Sequence, residues 1–172
     1  MKYRLMVALL SSLFALSAQA RDTELHLSID EAMSSADAQS KLDSGVKFFF
    51  ANQKTPAIEK SFGEDSTNKK TNAFGKSDEA ACRWAFLSAM IQLQSRAREL
   101  GADAVVDIQS FYKRDAEKSA TEYECHAGAV LAGVALKGRF VKLAAKRAEA
   151  AAPADASTSA PKGKKSASRK KH

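Results

Sequence analysis

The feature that most constrains the fold is one strong helical segment near the middle of the chain. Ser77 is a good N-cap, two acidic residues follow it, and Gly101 stands where helices commonly end. Between these signals, apolar residues recur at helical spacing: Cys82, Phe86, Met90, Leu93, Ala97 and Leu100. Three further residues widen this stripe: Trp84, Leu87 and Ile91. The pattern predicts a helix over Asp78–Leu100 that is covered on more than one side.

Segments with strand character lie on both sides of this helix. Alternating or β-prone patterns predict strands at residues 24–29, 46–50, 104–112 and 122–143. In the third segment, strict alternation would place Val106 and Ile108 on the same side. The fourth is long, and we expect it to bend or bulge at one of its glycines. The order of elements predicts an α+β fold, with helices packed on a mainly antiparallel sheet and one long central helix followed by a β-meander.

The remaining segments give weaker patterns. Asp30 can cap a short helix that runs to about Lys41. Residues 52–66 are polar, so we expect a connection there, and residues 67–74 are a weak candidate for an extended segment. The aromatic run Phe48–Phe50 could line a ligand groove, but a buried strand is the favoured interpretation.

The first twenty residues follow the pattern of a secretory signal peptide. Lys2 and Arg4 form a basic start, residues 5–16 are almost wholly apolar, and a small-x-small pattern ends at Ala20. We therefore expect export with cleavage after Ala20 and a periplasmic location. No second apolar segment is long enough to suggest a transmembrane span in the mature chain.

The C-terminal segment, residues 144–172, differs in composition from the rest. It consists mostly of Ala, Lys, Ser and Pro without aromatic residues, so we expect a disordered tail. The tail carries +6 of the chain's +7 net charge and the leader carries +2, which leaves −1 for residues 21–143, one globular domain. The candidate anion-binding residues are Lys162, Lys164, Lys165, Arg169, Lys170 and Lys171.

Such a tail attracts anionic lipids or anionic envelope polymers by electrostatics that salt weakens. A solubilising spacer is the equal alternative. Nucleic acid is not expected as a partner of an exported chain, and the tail has no aromatic residues on which bases could stack.

Two cysteines, Cys82 and Cys125, follow the leader. In an oxidising compartment an even pair predicts a disulfide first. Cys82 lies on the helical stripe, and Cys125 lies on a later strand that could pack against it. A catalytic thiol is less favoured because strand neighbours point to opposite faces, which turns His126 away from Cys125. A metal site that uses both cysteines with His126 and the distant His26 lacks a recognisable zinc spacing.

Other polar groups give weak signals. Four acidic residues occur in the last part of the domain: Asp103, Asp107, Glu122 and Glu124. Paired carboxylates can perform acid–base chemistry, but solvent-exposed charge is the favoured interpretation. The polar stretches at 52–56 and 68–72 could bind a sugar or an anion, although ordinary surface connections are favoured. We expect no catalytic residues, no metal site and no cofactor.

Three stretches, "NKKTNAFGKSDEAACRWAFLSA", "ELGADAVVDIQSFY" and "TEYECHAGAVLAGVALKG", resemble a family of small secreted proteins from Gram-negative bacteria. Members of this family often carry the label "excinuclease ATPase subunit". The resemblance covers nearly all of residues 21–143. The label implies ATP hydrolysis in DNA repair, but the sequence contains no G-x-x-x-x-G-K-[ST] phosphate loop, so the label is not supported here.

The second half is more distantly similar to the outer-membrane lipoprotein that senses envelope stress for the Rcs phosphorelay, and to small YbjQ-type domains once described as heavy-metal-binding. The shared patterns are "A-[DN]-A-V" at 102–105 and "A-x-x-x-G-x-A-L" at 129–136. In the stress sensor, cysteines match Cys82 and Cys125, which implies the same disulfide. The lipid-bearing cysteine and the second disulfide pair of that sensor are absent, and Leu131 stands where one of those cysteines would fall.

These observations favour a non-enzymatic periplasmic protein that binds an envelope component or a partner protein. A small-ligand or metal-binding module of YbjQ type is the alternative. An enzyme is the least favoured class, because the sequence offers no catalytic constellation.

Overall fold

A computed structural model of the protein describes residues 21–145, and the signal-peptide and tail predictions lie outside that range. Six strands are present: β1 (Thr23–Ser28), β2 (Lys47–Phe50), β3 (Ile58–Asn72), β4 (Ala104–Ser110), β5 (Glu122–Ala127) and β6 (Leu131–Leu143). The helices are α1 (Ile29–Ser34), α2 (Ala36–Lys41) and α3 (Asp78–Leu100), with a 3₁₀ turn at Tyr112–Arg114. Within these described residues, no helix is both long and apolar enough to cross a membrane.

The strands form one six-stranded sheet in the order β1-β5-β6-β4-β2. Strand β3 pairs with the opposite edge of β6 along its whole length. All pairings are antiparallel except that of β2 with β4, which is parallel. The α+β class with a mainly antiparallel sheet is therefore confirmed. Of the three strands that end the domain, β5 and β6 are adjacent in the sheet, whereas β4 pairs with β6 and not with β5. This is possible because β6 is long enough to pair with both β5 and β4 along one edge.

Helix α3 follows the sequence prediction at both ends. The Ser77 hydroxyl accepts a hydrogen bond from the Ala80 amide at 3.2 Å, and Gly101 adopts a left-handed conformation with φ of 72°. The predicted stripe is buried against the sheet, with Phe86 and Met90 at its centre. Trp84 departs from the prediction, since it remains 40% exposed.

A disulfide joins Cys82 of α3 to Cys125 of β5 across the main core. Both cysteines are fully buried. Next to the bond, the Phe86 ring stacks on Tyr123 with ring centroids 4.1 Å apart. The helix is thus held to the centre of β5 by a covalent bond and by aromatic packing.

The single helix expected from Asp30 to Lys41 is wrong, because the structure has two short helices there. Ser28 caps α1 by accepting from the Glu31 amide, and Ser35 caps α2 by accepting from the Ala38 amide. Ser35 has extended backbone angles, and its side chain supplies the acceptor that starts a second helix.

The polar connection expected over residues 52–66 is also wrong, since β3 begins at Ile58 and continues to Asn72. This strand has one unpaired edge and mostly exposed side chains, which explains its polar sequence. Gly63 sits at a register shift with φ of 100°, a conformation that glycine adopts without strain.

Strand β4 does not alternate as expected. Asp107 has φ of 54° at a shift in the pairing with β6, so that Val106 and Ile108 face opposite sides of the sheet. Ile108 joins the main core under α3. Val106 joins a smaller apolar cluster on the other face with Ala104 and Val141.

The aromatic run at 48–50 and the final strand region agree more closely with expectation. Phe50 is buried in the main core, while Phe49 packs on the smaller cluster. The region 122–143 is divided into β5 and β6, whose connecting turn includes Gly128.

Candidate functional site

Strands β1 and β5 bring two copies of the same short motif together. Glu24 and His26 form a Glu-x-His sequence on β1, and Glu124 and His126 form another on β5. The strands are antiparallel, and their register places Glu24 opposite His126 and His26 opposite Glu124. Residues two apart on a strand point to the same face, so all four side chains share the face away from α3.

His126 is largely enclosed, and only 12% of its side chain is exposed. Its Nδ1 lies 3.0 Å from an Asp22 carboxylate oxygen, and its Nε2 lies 2.7 Å from Oε1 of Glu124. The imidazole ring stacks on Tyr112 with the centroids 3.5 Å apart. A neutral imidazole has a single N–H, so it can donate to only one of these two carboxylates.

His26 forms a second set of contacts on the same face. Its Nε2 lies 3.1 Å from Oε1 of Glu24, and its Nδ1 lies 3.3 Å from Oε1 of Glu117. The hydrogen bond with Glu24 is the largest influence and raises the pKa of His26 above its usual value. Desolvation opposes this effect, while the negative charges of Glu117, Glu24 and Glu122 add to it.

Three ligand atoms of this surface come close enough to share a metal ion. Oxygen or nitrogen atoms of Glu24, Glu124 and His126 lie within 4.8 Å of one another. One imidazole and two carboxylates form a ligand set that suits zinc and other divalent transition metals. The Glu124 side chain is 11% exposed and that of Glu24 is 56% exposed, so the group is open to solvent on one side.

A groove of about 340 Å³ begins beside His126 on the same face of the sheet. Its polar lining includes the cationic side chains of Arg21 and Lys70 and the carboxylate of Asp22, and Tyr112 and Leu131 supply apolar surface. Arg21 donates to Asp78 at 2.6 Å and to the Gly128 carbonyl at 3.1 Å, which fixes its position.

One of the two polar stretches noted in the sequence lines the groove. Residues 68–72 lie on β3 rather than in a loop, and alternate positions, Asn68 and Lys70, line the groove. The stretch 52–56 has a different role. There the Gln53 side chain accepts from the Phe50 amide at 2.9 Å and donates to the Ala120 carbonyl at 3.3 Å.

The four acidic residues singled out in the sequence do not form one cluster. Asp103 accepts a hydrogen bond from the Leu143 amide at 2.8 Å, and Asp107 pairs with Arg139 at 2.6 Å. Glu122 is exposed on β5, as expected. Glu124 differs from the expectation of solvent-exposed charge because its side chain is largely covered beside His126.

Cys125 lies between Glu124 and His126 but points to the core, where it bonds to Cys82. The thiol is therefore not a partner for the imidazole. Asp22, Glu24 and Tyr112 were not identified as site residues from the sequence. The sequence did offer one signal for this site, the repeated Glu-x-His motif in "ELH" and "ECH". The pairing of the two motifs, however, depends on the register between strands that are far apart in the chain.

These features define an α+β domain with a histidine–carboxylate cluster and an adjoining groove on one face of its sheet. Comparison of the chain with protein families, curated proteins and solved structures gives no match. The tail residues proposed to bind anions, from Lys162 to Lys171, lie outside the described residues.

Proposed function

We propose that this is a non-enzymatic periplasmic protein that binds an envelope component carrying anionic groups. The observation that carries the proposal is the groove beside His126, whose lining includes the cations Arg21 and Lys70 together with one carboxylate, Asp22. Binding sites commonly combine an apolar wall with a few positioned polar groups. A polymer or lipid headgroup with carboxylate or phosphate groups fits this lining.

Lys70 is the residue that most directly gives the groove its charge. Its backbone pairs with Gly133 of β6, and the aliphatic part of its side chain lies close to that glycine. Lys70 can therefore place its ammonium group in the groove while its carbons remain packed.

The proposed location is supported by the composition of the leader and by the disulfide. A buried Cys82–Cys125 bond is compatible with an oxidising compartment. The basic tail would add long-range attraction to the same anionic component. The groove would then supply the specific contacts, because electrostatic attraction alone does not distinguish one polyanion from another.

Purified lipopolysaccharide is a suitable probe for the exported chain, residues 21–172. Surface plasmon resonance should show that Lys70→Ala weakens binding by about tenfold, as expected for loss of a charge-assisted hydrogen bond. Lys60→Ala is the matched control, since Lys60 lies on the same strand but lies over the Phe62 ring instead of lining the groove. The control should bind within about twofold of the wild type, as expected for an exposed charge.

Equal weakening by both substitutions would mean that binding follows total charge, and the groove would lose its role. Unchanged binding by Lys70→Ala would likewise contradict the proposal. Measurement at two salt concentrations separates the contributions, because the tail's attraction is screened more strongly than contacts inside the groove.

A further inference from the structure

We propose that Glu24, Glu124 and His126 bind one divalent transition-metal ion of the zinc class on the outer face of β1 and β5. This site adjoins the groove, since His126 and Asp22 also line it, but the inference does not depend on the anionic ligand proposed there. The juxtaposition that carries the inference is the antiparallel pairing of two Glu-x-His motifs, which sets each glutamate opposite the histidine of the other strand.

The distances are close to those that one ion requires. Two ligand atoms of a tetrahedral zinc ion lie about 3.3 Å apart, as bonds of about 2.0 Å imply. In the structure, the Nε2 of His126 lies 2.7 Å from Oε1 of Glu124, and the three candidate atoms lie within 4.8 Å of one another. Placing all three around one ion therefore requires these separations to change by about 1 Å.

The surroundings of His126 match those of a metal ligand. Histidines that bind metals commonly donate their other ring nitrogen to a carboxylate, which fixes the tautomer and the ring orientation. Asp22 is that carboxylate here, at 3.0 Å from Nδ1. A proton on Nδ1 leaves the lone pair of Nε2 directed at Glu124, and stacking on Tyr112 holds the ring plane. An ion between Nε2 and Glu124 satisfies both groups without a second proton on the ring.

The backbone that carries these ligands is anchored. Cys125, between Glu124 and His126, is bonded to α3, and the Glu124 amide donates to the Ser110 hydroxyl at 2.9 Å. Ligands on paired strands hold their geometry better than ligands on loops. The site therefore needs little reorganisation of the main chain to accept an ion.

The local charge also favours a cation. Four carboxylates surround the two histidines: Asp22, Glu24, Glu117 and Glu124. Within residues 21–145, their ion pairs are with His26 and His126 and not with lysine or arginine. Like charges at this spacing repel one another, and a divalent ion relieves that repulsion. The imidazole selects zinc, copper or nickel over magnesium and calcium, which prefer oxygen ligands alone.

Zinc titration of the exported chain with its disulfide intact tests the site, by calorimetry in competition with a chelator. We expect one zinc ion per chain, and about tenfold or greater weakening in His126→Gln and in Glu124→Gln. Asp22→Asn should weaken binding by a similar factor through the orientation of the ring. Glu122→Gln is the matched control, because it removes an exposed carboxylate from the same face of β5 that pairs with none of the three ligands, and it should leave the affinity within about threefold.

Cobalt substitution provides a readout that a purely structural role would not change. The visible absorption of bound Co²⁺ should report nitrogen and oxygen ligands and should disappear in His126→Gln. Thermal unfolding verifies that each variant is folded, and Glu24→Gln provides a ligand variant at an exposed position if the buried ones fail to fold. Zinc binding that persists undiminished in the folded ligand variants, or that is lost equally in Glu122→Gln, would overturn the proposal.

Discussion

The two faces of the β1–β5 pair have the same backbone but opposite chemistry. On the inner face, Leu25 lies opposite Cys125 and Leu27 lies opposite Tyr123, and all four side chains belong to or pack against the main core. On the outer face, the corresponding positions are glutamates and histidines. The inner face contributes buried apolar area and a covalent bond, whereas the outer face contributes ligands and charge.

This difference shows how one pair of strands can support the fold and a binding site together. Because side chains alternate, Cys125 anchors the strand on the inner face while Glu124 and His126 remain available on the outer face. Substitutions on the inner face should therefore change stability, and substitutions on the outer face should change binding.

The largest effect is expected from removal of the disulfide. The double substitution Cys82→Ala and Cys125→Ala opens a loop with a sequence separation of 43 residues. The chain-entropy estimate for such a loop gives a decrease of about 4 kcal/mol in the free energy of unfolding. Urea denaturation of the wild type and the variant measures the difference. A decrease below about 1 kcal/mol would mean that the bond adds little to the core packing.

A smaller decrease in the free energy of unfolding is expected from loss of a side-chain hydrogen bond between β4 and β5. Ser110 is 5% exposed, and its hydroxyl accepts from the Glu124 amide at 2.9 Å. Ser110→Ala leaves that amide without this partner, so the free energy of unfolding should decrease by about 2 kcal/mol. Ser40→Ala is the control, since its hydroxyl contacts only a helical carbonyl on the exposed α2. Equal losses in the two variants would contradict the assigned role.

Tyr123 makes the inner face sensitive to alkaline pH. Burial is the main cause that raises the pKa of its phenol far above the usual value of about 10, and Arg83 opposes this effect. A raised folded-state pKa contributes stability that is complete below the unfolded pKa. This contribution is lost as pH rises from the unfolded pKa towards the folded pKa. Between pH 10 and 11 the wild type should therefore lose up to about 1.4 kcal/mol more stability than Tyr123→Phe. Parallel losses in denaturation series at these pH values would contradict this assignment.

The smallest effect is expected on the outer face. The Glu24 side chain is 56% exposed, so Glu24→Gln should change the free energy of unfolding by less than about 0.5 kcal/mol without metal. Removal of one carboxylate from a group of like charges could even stabilise the domain slightly. A decrease of several kcal/mol in the same urea assay would show that the outer face supports the fold and that the two faces are not separable.

The parts of the fold that sequence predicted well are those with local signals. Helix α3 carries its own cap at Ser77, its own stop at Gly101 and an apolar stripe between them. Strand β3 has no such signals, because its structure depends on pairing with β6, some seventy residues away in the chain, and its polar residues suit an exposed edge. The bulge at Asp107 likewise reflects the register with β6 and not the alternation of β4 itself.

The candidate site shows the same difference between features with local sequence signals and features that depend on long-range pairing. The opposed directions of Cys125 and His126 could be predicted from strand alternation alone. The meeting of Glu24 with His126 could not, because it depends on which strands are neighbours and on their register. Asp22 and Tyr112 reach the histidine from before β1 and from the 3₁₀ turn after β4, and no spacing in the sequence connects them.

If metal binding belongs to the outer face of β1 and β5, amide NMR spectra of the disulfide-bonded protein recorded during a zinc titration should show it. We expect shifts that centre on Asp22, Glu24, Tyr112, Glu124 and His126, while amides along α3 stay almost unchanged. Shifts that centre on α3 or on the C-terminal tail, or a spectrum unchanged by excess zinc, would contradict it.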